Sequence, residues 1–182
     1  RANPRAKSGV SLALYDIVGK ALGVPVYTIL GGKVRDSVPL SWSIPITSYE
    51  SGVREAMQKT EDGWKILKIK LGRNDPADDV EMVKRIRDAV GDEVQIRVDA
   101  NQAYDVKTAI RVGRSIDRYG IEFYEQPVSA ESLDNLAEVS RATAIPLMAD
   151  ESLVTLQNAA AILSKDAAQF LSIYVSKSGG LL

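Results

Sequence analysis

The chain has 182 residues with 23 basic and 24 acidic side chains, so its net charge of −1 creates no field that would attract nucleic acid or a membrane. It contains no cysteine, which excludes disulfides, zinc–thiolate sites and cysteine nucleophiles. It also contains no histidine, which leaves Lys, Asp, Glu or Tyr as candidate general bases. No apolar run approaches the roughly 20 residues that cross a bilayer, and no signal peptide is recognisable. We therefore expect a soluble, cytoplasmic protein.

The beginning of the chain predicts a helix. Apolar residues recur along one broad stripe over 6–29, and Leu30-Gly31-Gly32 supplies the glycines that commonly follow a helix. From Pro39 onward, short apolar runs alternate with helical patterns. The runs predict six strands, at 39–45, 64–71, 94–100, 121–126, 146–150 and 170–175. The predicted helices between them lie at 49–60, 76–90, 106–119, 132–142 and 155–164. Asp75 is the expected N-cap of the second of these, with Pro76 at its first position.

Six strands that alternate with helices imply parallel pairing through right-handed crossovers. Two architectures compete, an open doubly wound sheet and a closed barrel. An open sheet that binds a nucleotide predicts a Gly-x-Gly-x-x-Gly turn after an early strand, and Leu71-Gly72-Arg73-Asn74-Asp75 does not have that pattern. A barrel carries functional groups at the carboxyl ends of several strands, which is where the polar residues of this chain occur. The pattern therefore favours a parallel β/α barrel.

The second predicted strand carries two lysines. Because side chains alternate along a strand, Lys68 and Lys70 share one face, and Leu67, Ile69 and Leu71 share the other. In a barrel the apolar face packs under the helices, so the lysines point inside. A solvated edge strand is the alternative, and the helical connections on both sides favour a central strand.

Each of the next three strands ends in a carboxylate. These are Asp99, Glu125 and Asp150, and the intervals of 26 and 25 residues each fit one strand–helix unit. Any one of them has an ordinary structural explanation, as a helix cap or as a partner of a lysine. Three carboxylates at one rim would repel each other unless a cation or protons neutralised them, and hard oxygen ligands suit Mg²⁺ or Mn²⁺. Taken together, they favour a metal site.

A metal beside lysines suggests a reaction. Removal of a proton from the carbon next to a carboxylate creates an unstable dianion, which a divalent cation stabilises as an enediolate. A base must then lie near that carbon. Free lysine titrates near ~10.4, and a neighbouring cation lowers that pKa toward a useful range. The positive charges of Lys68 and of the metal would both be expected to lower the pKa of Lys70 in this way.

Four motifs in order resemble the muconate lactonizing enzyme and mandelate racemase families of the enolase superfamily. They are the Lys-x-Lys of Lys68 and Lys70, Val98-Asp99-Ala100-Asn101-Gln102, Glu125-Gln126-Pro127 and Ala149-Asp150-Glu151-Ser152, and they follow a helical lead-in that begins at Ser11. The match covers essentially the whole chain. It implies a TIM-type (β/α) barrel, here a partial barrel of about six strands, preceded by a helical remnant of a capping domain.

The resemblance also implies the function and the roles of seven residues. The function is that of a Mg²⁺-dependent enzyme (Mn²⁺ is an alternative) that abstracts the α-proton of a small carboxylate substrate. The implied roles are metal ligands for Asp99, Glu125 and Asp150, acid/base for Lys70, electrostatic partner for Lys68, and contacts to the ligands or substrate for Asn101 and Glu151.

One departure from the family concerns the sixth strand. The Asp150-Glu151 pair and the Ser-Lys-Ser-Gly-Gly run at 176–180 are similar to the lactonizing branch, in which this strand commonly carries a second lysine. Here Tyr174 takes that position, and Lys177 is out of phase with it. One-base chemistry is therefore expected, either cycloisomerization or elimination of water from a hydroxy acid. Racemization or epimerization by a Lys/Tyr pair is the alternative reaction. Tyr174 could also have no catalytic role and serve only as an aromatic residue that fills the core.

The same comparison predicts two domains, the end of a capping domain over 1–38 and the partial barrel over 39–182. Both ends of the chain look like cuts, so most of the capping domain and the last barrel strands are expected outside it. The chain alone is then not expected to be a stable enzyme. The family often assembles as dimers to octamers, which predicts a homo-oligomer.

Two other classes of function stay open at this level. A Schiff-base aldolase would use Lys68 or Lys70 as a nucleophile and need no metal. A non-catalytic barrel that binds a ligand or serves as a structural subunit would tolerate loss of Lys70. Three carboxylates in register count against the aldolase.

Overall fold

A computed structural model describes residues 3–181 of the chain. These fall into two compact units, one formed by 40–172 and the other by 3–39 together with 173–181. The predicted domain division at residue 38 stays a prediction, and the structure groups the last residues with the first. No helix in the described part is long and apolar enough to cross a membrane.

The larger unit is a parallel sheet of six strands in chain order, with helices between them. Neighbouring strands pair in the order β1-β2-β3-β4-β5-β6, so every connection is a crossover of the β/α type. The strands are β1 Trp42–Ile44, β2 Ile66–Lys70, β3 Gln95–Asp99, β4 Ile121–Glu125, β5 Leu147–Ala149 and β6 Phe170–Leu171. The expected six parallel strands are confirmed.

Five helices connect these strands. In chain order they are α3 Tyr49–Glu61, α4 Pro76–Val90, α5 Val106–Ile116, α6 Leu133–Ala142 and α7 Leu156–Ser164. Each begins after a side chain that accepts a hydrogen bond from a backbone N–H of the first turn, and Asp75 caps α4 in this way, as predicted. A 3₁₀ turn at Asp117–Tyr119 follows α5, so the predicted helix at 106–119 changes type in its last turn.

The smaller unit contains α1 Pro4–Leu22, α2 Val26–Ile29 and α8 Val175–Ser178. The single helix predicted over 6–29 is wrong. Gly23 ends α1 in the left-handed conformation, with φ 66°, and a separate short helix follows. The strand predicted over 170–175 is also shorter, because it ends at Leu171 and α8 begins at Val175.

The two faces of the sheet differ in the way the alternation of β2 predicts. Leu67 and Ile69 are fully buried in the core beneath the helices, together with Ile96, Val98 and Tyr124 of the neighbouring strands. The lysines of β2 lie on the opposite face and are partly exposed. The expectation that the apolar set faces the helices is confirmed.

Candidate active site

Lys68 and Lys70 lie beside two buried carboxylates. The Nζ atom of Lys70 is 2.6 Å from Oδ2 of Asp99, and that of Lys68 is 3.2 Å from Oε2 of Glu125 and 3.5 Å from Oδ2 of Asp99. Strand register explains the meeting, because Lys70 pairs with Asp99 across β2 and β3, and Asp99 pairs with Glu125 across β3 and β4. We call these four residues the lysine–carboxylate cluster.

The charges of this cluster are coupled. Burial raises the pKa of Glu125, the charges of Asp99 and Asp150 raise it further, and Lys68 opposes them. For Lys68, burial lowers the pKa, but the carboxylates of Glu125 and Asp99 outweigh it and the net shift is upward. Asp99 is 1 % and Glu125 3 % exposed, so bulk water screens these charges poorly. The site therefore holds two buried carboxylates so close together that the charge of Asp99 disfavours ionisation of Glu125, with a lysine in contact with each.

Asn101 and Glu151 extend the cluster along the same rim. Asn101 accepts a hydrogen bond from Lys70 at 2.6 Å and donates one to Oε1 of Glu151 at 3.0 Å. Its own N–H donates to Oδ1 of Asp99. Asn101 has a left-handed backbone with φ 42°, which is uncommon outside glycine and is often found at functional sites. Asn101 thus contacts Lys70 and Asp99, Glu151 contacts Asn101, and the roles of both residues stay predictions.

Asp150 is offset from the other two carboxylates. Glu125 pairs with Met148 across β4 and β5, and Asp150 follows Met148 by two residues, just beyond the end of β5. Its charge still raises the pKa of Glu125. No three acidic side chains among residues 3–181 lie in an arrangement that could hold a metal ion as they stand. The three-ligand set therefore stays a prediction.

The donors present nevertheless suit a hard divalent cation. The rim presents carboxylate oxygens, which Mg²⁺ and Mn²⁺ prefer, and two of the three carboxylates are buried. Within the described part of the chain, Oε2 of Glu151 is buried without a hydrogen-bond partner. An orphaned carboxylate oxygen next to buried like charges is costly unless a cation compensates it. We conclude that these residues fit such a cation.

Tyr174 does not lie on the sixth strand. It is the residue before α8, its side chain is 56 % exposed, and it belongs to the smaller unit. The strand position predicted for it is thus wrong, because β6 ends three residues earlier. The core-filling alternative is excluded by its exposure, and a role in catalysis stays a prediction.

Two buried polar residues near this rim were assigned no role from the sequence. Gln126 is fully buried directly after Glu125, and Asp79 is fully buried in the first turn of α4. Oδ2 of Asp79 accepts hydrogen bonds from the N–H groups of Gly72 and Arg73 and from the hydroxyl of Tyr104. We call Asp79, Arg73 and Tyr104 the enclosed cluster. Nothing in the adjacent Asp78-Asp79 pair indicates which aspartate is buried.

Fold and site together define a parallel β/α barrel with lysines on its second strand and carboxylates at the ends of the next three. The family model described as enolase C-terminal domain-like matches residues 52–182. The chain therefore belongs to the muconate lactonizing enzyme and mandelate racemase family of the enolase superfamily, whose matched members are isomerases and epimerases. The resemblance seen in the sequence is confirmed, and so is the TIM-type barrel class.

Individual relatives cover nearly all of this chain. It is 39 % identical to an L-Ala-D/L-Glu epimerase of Clostridium acetobutylicum over 98 % of its own length and 50 % of that protein. A muconate lactonizing enzyme of Pseudomonas fluorescens, solved with muconolactone, is 36 % identical with a TM-score of 0.93 over 99 % of this chain and 49 % of that one. A dipeptide epimerase of Cytophaga hutchinsonii, solved with Mg and D-Ala-L-Val, is 34 % identical with a TM-score of 0.93 over 98 % and 48 %. The chain spans about half the length of the curated relatives it matches.

Proposed function

We propose that this chain contributes the lysine and carboxylate groups of an enzyme that removes the α-proton of a small carboxylate substrate with the help of Mg²⁺. The observation that carries the proposal is that Lys70 contacts Asp99 and Lys68 contacts both Asp99 and Glu125, on the face of the sheet opposite its apolar core. A lysine held against carboxylates can accept a proton from carbon only when its ammonium is relieved of its own proton, so the charge around it decides its activity.

Asp99, Glu125 and Asp150 would hold the cation, and the dipeptide epimerase solved with Mg supports its identity. When bound, a divalent cation neutralises these carboxylates and stabilises negative charge that develops on a substrate carboxylate. Lys70 would then carry the proton between solvent and the substrate carbon. Lys68 contacts Asp99 and Glu125 and would serve as the electrostatic partner of Lys70.

Two reactions of this class are supported by different observations. One-base cycloisomerization or elimination of water agrees with the tyrosine at position 174, where the lactonizing branch commonly has a lysine, and with the similarity to muconate lactonizing enzyme. Epimerization agrees with the 39 % identity to an L-Ala-D/L-Glu epimerase. Epimerization requires proton delivery to the opposite face of the planar intermediate, and Tyr174 is the candidate in this chain.

The test is a screen of the natural full-length protein for Mg²⁺-dependent exchange of the α-proton in D₂O, read by NMR and mass spectrometry. The panel contains cis,cis-muconate, L-Ala-L-Glu and related dipeptides, and sugar acids. Deuterium incorporation with inversion identifies an epimerase, a lactone product identifies a cycloisomerase, and a keto acid identifies a dehydratase. EDTA is expected to abolish exchange, and Mg²⁺ to restore it.

Further experiments on the same protein distinguish the proposed enzyme from a Schiff-base aldolase and from a non-catalytic barrel. Covalent trapping by borohydride in the presence of substrate and EDTA would identify a Schiff-base aldolase and refute the proposal. Unchanged Mn²⁺ affinity in the double variant Asp99→Asn, Glu125→Gln would also refute it. A barrel that binds these acids without exchange, and whose Lys70→Ala variant keeps its biological role, would be non-catalytic.

A further inference from the structure

Gln126 follows Glu125 directly and is one of the few fully buried polar residues of the chain. Its backbone lies in the left-handed region with φ 32°, an unfavourable conformation for a residue with a side chain. Such a conformation persists only where the surroundings enforce it. The partners of its main chain and side chain show what enforces it.

The left-handed backbone redirects the carbonyl of Gln126. Along β4 and β5 the bonds run from Tyr124 N–H to the Pro146 carbonyl and from Gln126 N–H to the Met148 carbonyl. A regular parallel ladder would continue from Asp150 N–H to the Gln126 carbonyl. That carbonyl instead accepts from Gln102 N–H at 2.8 Å, on the β3 side.

The side chain of Gln126 takes over the missing bond. Its Oε1 accepts from the N–H of Asp150 and from the N–H of Ser152, each at 3.1 Å. Its Nε2 donates to the carbonyl of Val128 and to Oγ of Ser152, each at 2.9 Å. Both acceptor sites and both donor hydrogens are used, and the reversed amide would place NH₂ against two N–H donors, so its orientation is determined by its partners.

We infer that Gln126 is a positioning residue that holds the backbone of Asp150 against the end of β4 and so fixes the third carboxylate relative to Glu125. This inference rests on the proposed function, because it assigns Asp150 as a ligand. Asp150 lies beyond the last residue of β5, where the strand ladder no longer holds it. A side-chain carbonyl in place of a main-chain carbonyl supplies that hold, and its loss should loosen the carboxylate more than the fold.

The test compares Gln126→Met with Gln169→Met in the natural full-length protein. Gln169 is the matched control because its Oε1 also accepts a backbone N–H of β5, that of Leu147 at 2.9 Å, at the opposite end of the strand. Mn²⁺ affinity is measured by EPR titration. Deuterium exchange of the amides of Asp150 and Ser152 is measured in metal-free protein by mass spectrometry with fragmentation, and urea unfolding confirms that each variant is folded.

We expect Gln126→Met to weaken Mn²⁺ binding by about 10- to 100-fold, the range for residues that orient metal ligands. The amides of Asp150 and Ser152 should exchange faster in that variant, and Gln169→Met should change neither quantity. If Gln126→Met does not fold, Ser152→Ala removes one partner of Nε2, and we expect about a 2- to 10-fold loss of affinity from one hydrogen bond.

Several outcomes would overturn the inference. It fails if a folded Gln126→Met protein keeps wild-type Mn²⁺ affinity, if the two amides keep their protection, or if Gln169→Met loses as much affinity. Absence of Mn²⁺ binding by the wild-type protein would instead refute the proposed function. In that case, the deuterium exchange rates of the Asp150 and Ser152 amides alone test whether Gln126 holds Asp150.

Discussion

The barrel wall contains two clusters with buried carboxylates, one around Asp79 and one around Asp99 and Glu125, and they differ in the partners of these carboxylates. In the enclosed cluster, one oxygen of Asp79 receives three hydrogen bonds, and the guanidinium of Arg73 lies 3.6 Å from the other oxygen. One negative charge lies near one positive charge, although Oδ1 of Asp79 and Nε of Arg73 are buried without a hydrogen-bond partner among the described residues. The cluster ties the loops after β2 and β3 to α4.

The lysine–carboxylate cluster instead brings two carboxylates and two lysines together. Asp99 and Glu125 lie side by side, Lys70 contacts Asp99, and Lys68 contacts both carboxylates. The pKa of Glu125 is raised by burial and by Asp99, which shows that its ionised form is disfavoured. Burial of a carboxylate therefore does not by itself identify a functional site. The adjacent carboxylate of Asp99, which raises the pKa of Glu125 although Lys68 opposes it, distinguishes this cluster from the enclosed one.

The largest effect is expected from Lys70→Ala. Loss of a positioned acid/base group typically costs about 10²- to 10⁴-fold in rate, so α-proton exchange of the substrate found in the screen should fall by that factor. The control is Lys65→Ala, an exposed lysine directly before β2, which should leave exchange unchanged. Exchange at the wild-type rate in Lys70→Ala would show that another group moves the proton.

Glu125→Gln should weaken Mn²⁺ binding by more than about 100-fold, beyond the range for residues that only orient ligands. The metal-free protein should keep its free energy of unfolding, because a neutral amide relieves repulsion from Asp99. Glu122→Gln is the matched control, since Glu122 is paired with Arg97 at 2.6 Å nearer the amino end of β4. EPR titration and urea unfolding check both. Loss of stability without loss of affinity would make Glu125 a structural residue.

Asp79→Asn should have the opposite profile. Removal of one partner of a buried ion pair typically costs about 3 kcal/mol or more, so urea unfolding should show a loss of that order. Mn²⁺ affinity should stay at the wild-type value, because the enclosed cluster supplies no proposed ligand. A variant that is stable but binds Mn²⁺ weakly would contradict the separation of the two clusters.

The smallest effect is a pH dependence of Tyr104. Burial raises its pKa, and the hydrogen bond to Asp79 raises it further. A phenol whose pKa is raised by folding stabilises the protein fully below the unfolded pKa of about 10, and this contribution is lost as pH rises above that value. The difference in unfolding free energy between wild type and Tyr104→Phe should therefore shrink by about 1.4 kcal/mol per pH unit above pH 10. A constant difference between about pH 8 and 11 would contradict the raised pKa.

The glycine after β2 shows how the two clusters share one loop. Gly72 has φ 114°, and a Cβ there would lie 2.8 Å from Cβ of Ala103. Only glycine fits this conformation and this close approach. Gly72 follows Lys70 by two residues, and its N–H donates a hydrogen bond to Asp79. The enclosed cluster therefore anchors the segment that follows β2.

The order and spacing of residues along the chain were enough to predict the faces of the strands and most of the residues at the rim. Period-2 alternation gave both faces of β2, and one polar side chain per strand–helix unit gave Asp99, Glu125 and the lysines as neighbours, because parallel strands all end at the same edge. Element ends were predicted less well where capping decides them, as at Gly23 and after Leu171.

The hydrogen-bond partners and the burial of individual polar side chains depend on the tertiary structure. The four bonds of Gln126, the burial of Asp79 rather than Asp78, and the offset of Asp150 depend on strand register and on loops far apart in the chain. No local pattern encodes them, because a side-chain hydrogen bond between two loops depends on distances of a few ångströms that many sequences with the same alternation would not reproduce. The sequence thus determined which residues meet at the rim, and packing determined which of them are held there by hydrogen bonds from other loops.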